Sequence, residues 1–144
     1  MSYFFKITLF LVLVFFSLFS NCNKPREPEE VKDLLEAHNL ERKRYGANPL
    51  QKDEYLENYA KNHAGMMANK NRLYHSDISV LLSRYRTSGE NIAWNQRTEK
   101  QVMSDWMNSP GHKSNILNKK YSKVGFGKSE NSKGEPYWCT VFAD

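Results

Sequence analysis

The run YWCTVFA at 137–143 constrains the architecture of this chain more than any other stretch. Side chains alternate across a strand, so Trp138, Thr140 and Phe142 lie on one face while Tyr137, Cys139, Val141 and Ala143 lie on the other. Both faces are largely apolar. A sheet built on this run must therefore be covered on both sides. The preceding SKVGFGKSE is also strand-like, and the polar, glycine-bearing NSKGEP between the two runs predicts an antiparallel hairpin.

Helices to cover that sheet can be read upstream. Val31, Leu34, Leu35 and His38 fall at i, i+3, i+4 and i+7, which predicts an amphipathic helix from Pro28 to Tyr45, stopped by Gly46. A second helix is expected from Asp53, with Leu56, Ala60, His63 and Met67 on one face, ending in NKNR. His38 and His63 sit inside these apolar stripes and read as hydrogen-bonded core residues. RLYHSD at 72–77 reads as extended, and Ile78, Leu81 and Leu82 mark a brief helix, with Ser76 and Asp77 as its caps. GENIAW at 89–94 alternates, with Glu90, Ile92 and Trp94 on one side and Asn91 and Ala93 on the other. Thr98-Glu99-Lys100-Gln101 matches a capping box that opens another helix, with Val102, Trp106 and Ser109 on its inner side. Pro110 and Gly111 are expected to end it. Trp94, Trp106 and Trp138 read as core, and Cys139 as an inert buried thiol.

The N-terminus is of another kind. Lys6 precedes an apolar run, ITLFLVLVFFSLF, that is too short to span a bilayer comfortably and has the order of a secretory signal. Its ending, LFSNC, resembles a bacterial lipoprotein box, although Asn21 departs from the usual small residue. The expected organisation is a lipoprotein-type signal peptide at 1–21, a polar tether at 22–30 (NKPREPEE after the cysteine) and a folded domain at 31–144. Acyl chains on Cys22 would hold an exported domain at the membrane, in the cell envelope or at its outer surface. With 2 cysteines in the chain, at most one disulfide can form. The net charge of +5 is scattered, without the basic stripe expected of a nucleic-acid-binding surface. Roughly 120 residues beyond the signal suffice for one core.

His75, Glu90 and His112 each sit where an element begins or ends. Two imidazoles and a carboxylate from separate loops make an inner shell suited to zinc or another divalent ion. The order of motifs adds to this: HNLERKRYGANPL (38–50), YAKNHAGMM (59–67), HSD (75–77), GENIAW, WMNSPGHKSNIL (106–117), VGFG (124–127) and YWCTVFA. Together they resemble the CAP superfamily, or SCP domain, which unites cysteine-rich secretory proteins, insect antigen 5 and plant pathogenesis-related proteins. The resemblance covers about residues 31–143. It implies an α+β fold, a three-layer α-β-α sandwich with a small antiparallel sheet between helices. It also implies a cleft lined by two histidines and two acidic residues, carried here by His75, Glu90 and His112. The remaining acidic position falls on Ser109, so one carboxylate is missing, as in shorter bacterial members that read SPGH. The Pro110-Gly111 break would let His112 swing back over the sheet toward His75, with Asn115 either capping the turn or orienting a histidine.

Three functions follow as expectations. The first is a surface-anchored binding module holding a divalent ion through His75 and His112, with Glu90 acting directly or through water. The second is a peptidase or esterase, in which Glu90 or a histidine activates water, or Ser109 attacks with His112 as base. The resemblance implies a third, lipid or sterol carriage, for which Ile78–Leu82 and Met66–Met67 offer apolar surface. Binding ranks ahead of catalysis, because no oxyanion hole or GxSxG elbow is evident.

Overall fold

Strands β3 (Lys123–Glu130) and β4 (Pro136–Ala143) form the expected hairpin, registered Lys123↔Ala143 through Glu130↔Pro136. Its loop is closed by Asn131, whose Oδ1 accepts from the backbone N–H groups of Lys133 and Glu135 at 3.0 and 2.9 Å. Every residue of β4 is buried. The structure, a computed structural model, describes residues 33–144. The signal run, Cys22, the tether and the start of the first predicted helix lie outside the described residues.

Two further strands complete a mixed sheet of order β1-β3-β4-β2. Strand β2 (Ser88–Trp94) pairs antiparallel with β4, and the two-residue β1 (Gln51–Lys52) pairs parallel with β3. Two apolar layers flank the sheet. On one face, helices α1 (Leu34–Arg44), α3 (Glu99–Asn108) and α4 (Pro110–Leu117) bury Val102, Trp106, Ile116, Trp138 and Phe142. On the other, helix α2 (Glu54–Asn69) and a 3₁₀ helix (Ile78–Ser83) bury Leu56, Ala60, Met67, Leu81, Cys139 and Val141. This is the α+β three-layer arrangement that the resemblance implied, and it provides the cover on both sides that the apolar faces of the hairpin required.

Helix α2 lies directly on β3, and two glycines explain how. A Cβ at Gly125 would collide with the backbone of Leu56 and Glu57, and one at Gly127 with the backbone of Ala60 and Lys61. Strand residues two apart share a face, so the glycines of VGFG clear a track for the helix.

Thr98 caps α3 as expected, and Asp33 and Asp53 cap α1 and α2 in the same way. Asp33, Asp53 and Thr98 accept from the backbone N–H three residues on, at 2.9, 3.1 and 3.1 Å. Gln101 reaches back to the N–H of Arg97, at 2.9 Å, one residue before the position a capping box requires. The C-terminal ends of α1 and α4 are joined by Arg42, whose buried guanidinium has no carboxylate partner among the described residues. It donates instead to the carbonyls of Asn48, Ile116, Asn118 and Tyr121 at 2.6–2.9 Å. Carbonyls near a helix C-terminus lack intrahelical partners and carry partial negative charge, so the cation sits where that potential favours it.

Three expectations need completion or correction. The helix opened at Thr98 does end just before Pro110, but Pro110 and Gly111 also open α4, with Pro110 at its first turn. Ser109, at φ −102° and ψ 119°, serves as both the end of α3 and the start of α4. Proline is well suited to that first helical position, since its missing N–H would have no intrahelical acceptor. Trp94 is not core: it is 44% exposed at the end of β2, tilted beside Tyr137. The brief helix at 78–83 is 3₁₀ rather than α.

Candidate functional site

Strand β2 is an edge strand, and its free side is where the site is built. The carbonyls of Ser88, Glu90 and Ile92 alternate onto that edge and accept from side chains: Tyr121 Oη at 3.0 Å, Asn115 Nδ2 at 3.1 Å and the Trp106 indole N–H at 3.2 Å. These donors satisfy an edge that would otherwise offer itself to another strand. A Cβ at Gly89 would lie 2.5 Å from the Tyr121 hydroxyl and 3.1 Å from Asn115 Oδ1, so glycine before Glu90 leaves room for both side chains.

The same hydrogen bonds dock α4, and with it His112. Asn115 Nδ2 also reaches Asn91 Oδ1 at 2.9 Å, and Asn91 Nδ2 donates to the carbonyl of His112 at 3.0 Å. Asn115 therefore neither caps a turn nor touches a histidine ring. It ties the helix to the strand. Asn91 is the residue sequence reasoning missed, and its apolar neighbours in GENIAW give no sign of its role.

Glu90 points to the opposite face of β2, where its side chain is only 2% exposed. Its Oε1 accepts from His75 Nδ1 at 2.7 Å and from the Ser76 N–H at 3.0 Å. Its Oε2 accepts from the Ser76 hydroxyl, and from the Cys139 thiol at 3.7 Å. Burial, and then the Glu90 charge, push the Cys139 thiol well above its ordinary pKa, so it stays protonated. His63 Nε2 donates to the Tyr74 carbonyl at 2.7 Å and stands 4.0 Å from Glu90 Oε2. It is a buried, hydrogen-bonded residue as expected, but it also forms part of the wall behind the site. His38 is the other expected core histidine, bonded through Nδ1 to the Leu34 carbonyl at 2.7 Å.

Because a carboxylate can only accept, the His75 proton lies on Nδ1 and the Nε2 lone pair is left uncommitted. The His75 ring is 63% exposed. His112 is half-buried, and its pKa is lowered first by desolvation and then by repulsion from His75. His75 and Glu90 are in contact, and His112 is carried by α4. Ser109 does not join them: its side chain makes no capping bond, and no hydrogen bond connects it to His112. Asp77 caps the 3₁₀ helix through the Ser79 N–H at 3.1 Å, whereas Ser76 belongs to Glu90.

On the other flank of His75 runs an open groove of about 420 Å³ between α2 and residues 74–77, with Tyr59, Met66, Lys70 and Tyr74 among its lining. Met66 is exposed and Met67 is core, just as Val80 and Leu82 are exposed and Leu81 is core. Among the described residues, no group of three or more His, Cys, Asp or Glu side chains is arranged to hold a metal ion. No described helix is long and apolar enough to cross a membrane.

Comparison with known proteins agrees with this architecture. The chain is 38% identical over 109 residues to the protein YkwD of Bacillus subtilis, a match that takes in 69% of this chain and 42% of YkwD. It therefore spans less than half the length of that relative. An outer surface protein of Borrelia burgdorferi superposes with a TM-score of 0.70 at 21% identity, covering 77% of this chain and 89% of that one. NaASP2, solved with Zn²⁺, superposes with a TM-score of 0.62 at 17% identity, covering 84% and 83%. The sequence profile named CAP, for the cysteine-rich secretory protein family, matches residues 35–142, and the chain belongs to that family.

Proposed function

We propose that this protein is a binding module displayed outside the cytoplasm, whose cleft presents His75 and His112 to a divalent ion, zinc by preference. The observation that carries this reading is the 2.7 Å contact between His75 Nδ1 and Glu90 Oε1. A histidine that ligates a metal through one nitrogen commonly donates the other to a carboxylate, which fixes its tautomer and orientation. The donor set fits zinc, which takes imidazole nitrogen readily. His75 and His112 would be its protein ligands, with water in the remaining positions. Glu90, whose oxygens are both engaged, would act from behind His75. A zinc ion there would polarise a bound oxygen atom, and the groove beside His75 has room for the rest of such a ligand. NaASP2, which shares the fold, was solved with Zn²⁺.

A ligand histidine must be neutral, and the lowered pKa of His112 keeps its lone pair available at neutral pH. Zinc titration calorimetry at pH 7 should show one site in the parent and at least a tenfold loss of affinity in both His75→Ala and His112→Ala. Equal affinity in parent and variants would remove the proposal. The hydrolase route through Ser109 gains nothing from the geometry, since Ser109 and His112 make no hydrogen bond.

Export belongs to the same reading, with the apolar run after Lys6 as the signal and Cys22 as the anchored residue. The Borrelia neighbour is itself an outer surface protein. Mass spectrometry of the mature N-terminus should find Cys22 carrying a diacylglycerol; an unmodified Cys22, or cleavage elsewhere, would remove the anchor.

A further inference from the structure

The geometry points to Ser76 as a positioning residue for His75, acting through Glu90; the inference deepens the two-histidine reading above and rests on it. His75 and Ser76 are adjacent in the chain and grip one carboxylate together. The His75 ring and the Ser76 N–H take Oε1, at 2.7 and 3.0 Å, and the Ser76 hydroxyl takes Oε2. One side of the His75 ring thus meets a carboxylate that the next residue holds still.

The need for that second grip follows from what else surrounds Glu90. Without the Ser76 hydroxyl, Oε2 keeps, among the described residues, only the Cys139 thiol, a weak donor at 3.7 Å. His63 Nε2, 4.0 Å from the same oxygen, is committed to the Tyr74 carbonyl and offers no replacement. The carboxylate would then be free to rotate away from His75. His75 is mostly exposed, and Glu90 is its only hydrogen-bond partner among the described residues, so losing that contact would free its ring and let the proton move to Nε2. The nitrogen meant for a ligand would then be blocked by a proton. Tyr59 supports the arrangement from outside, its hydroxyl lying 3.0 Å from Ser76 Oγ and 2.9 Å from the Asp77 carbonyl.

The tautomer is a readout that needs no metal. Long-range ¹H–¹⁵N spectra of the metal-free protein at neutral pH should show His75 protonated at Nδ1 in the parent and in Ser76→Thr, which keeps the hydroxyl. Ser76→Ala should shift His75 toward the Nε2–H form and lower zinc affinity by about 10- to 100-fold, the range seen when such supporting contacts are lost. Tyr59→Phe, which leaves residue 76 untouched, should move the spectrum the same way by a smaller amount. An unchanged His75 spectrum in a folded Ser76→Ala, or equal zinc affinity in Ser76→Ala and parent, would overturn the role of Ser76 while leaving the two-histidine site standing. A tautomer that depends on Ser76 in a protein that binds no zinc would uphold the positioning role and defeat the metal reading.

Discussion

His38 shows how much a single buried group can set the behaviour of the fold. Its ring lies wholly inside, with ring centroids of Phe126, Phe142 and Trp106 at 5.1, 5.7 and 5.9 Å. Desolvation is the main reason its pKa falls from 6.5 to about 4; the bond to the Leu34 carbonyl opposes the shift and the nearby Arg42 charge adds to it. In the unfolded chain the same imidazole protonates near its ordinary value. Between those two values the unfolded state binds a proton that the native state refuses, so stability is full above about pH 6.5 and declines as the pH falls toward 4. The shift corresponds to a loss on the order of 3 kcal/mol over that window. Urea unfolding at a series of pH values should show this slope in the parent and a flatter one in His38→Gln; identical slopes would contradict the assignment. Legibility at this scale was uneven. Spacing was enough to place His38 and His63 inside, because a histidine in an apolar helical stripe has few other places to go. Trp94 went the other way: alternation placed it on the correct side of the strand, but β2 runs out just there, so the indole has neighbours on one side only. Ser76 was assigned to helix capping, a local role, whereas its partner Glu90 is fourteen residues away and no local pattern announces it.

The elements teach a related lesson about distance along the chain. Amphipathic spacing and caps made α1, α2 and α3 readable, because those signals depend on residues within a turn or two of each other. Helix α4 was not readable in the same way. A proline followed by glycine signals a helix stop when read from the N-terminal side and a helix start when read from the other. What makes it a start is tertiary: Asn115 bonds to β2, and Arg42 gathers the carbonyls of Ile116 and Asn118. With Asn91 holding its carbonyl, His112 is placed by a helix fastened to β2 and at its C-terminal end rather than by a loose turn. The contact between α2 and β3 has the clearest energetic consequence. A methyl group on Gly127 would meet the backbone of Ala60 and Lys61, neither of which can rotate away as a side chain would. Gly127→Ala should therefore cost about 3 kcal/mol, the upper part of the range for overpacked interiors. The urea midpoint is the check; a change below about 0.5 kcal/mol, typical of ordinary surface substitutions, would mean that α2 shifts away freely.

At the scale of the whole domain, the site is a product of layering. β2 lies at the sheet edge, Glu90 turns from it toward the α2 layer, and α4 holds His112 in the layer across the sheet. A cleft shared by His75 and His112, as proposed, would therefore straddle the strand edge. That both faces of the sheet are covered was legible from YWCTVFA, a strand apolar on both sides, while the three-layer α-β-α sandwich came from the family resemblance. A shared cleft for residues 75, 90 and 112 was suggested by their places at element ends and, more strongly, by the resemblance that the order of motifs carries, because nothing local to any of them names the other two. What the geometry adds is the contact between His75 and Glu90; on the proposed reading the carboxylate serves that histidine and the two imidazoles remain for a ligand. Crystals grown with zinc at neutral pH and measured on both sides of the zinc absorption edge test this most directly. The account predicts an anomalous peak bonded to His75 Nε2 and to the His112 ring, with Glu90 still held by His75 and Ser76. A peak elsewhere, zinc bound directly to Glu90, or no peak at saturating zinc would contradict it.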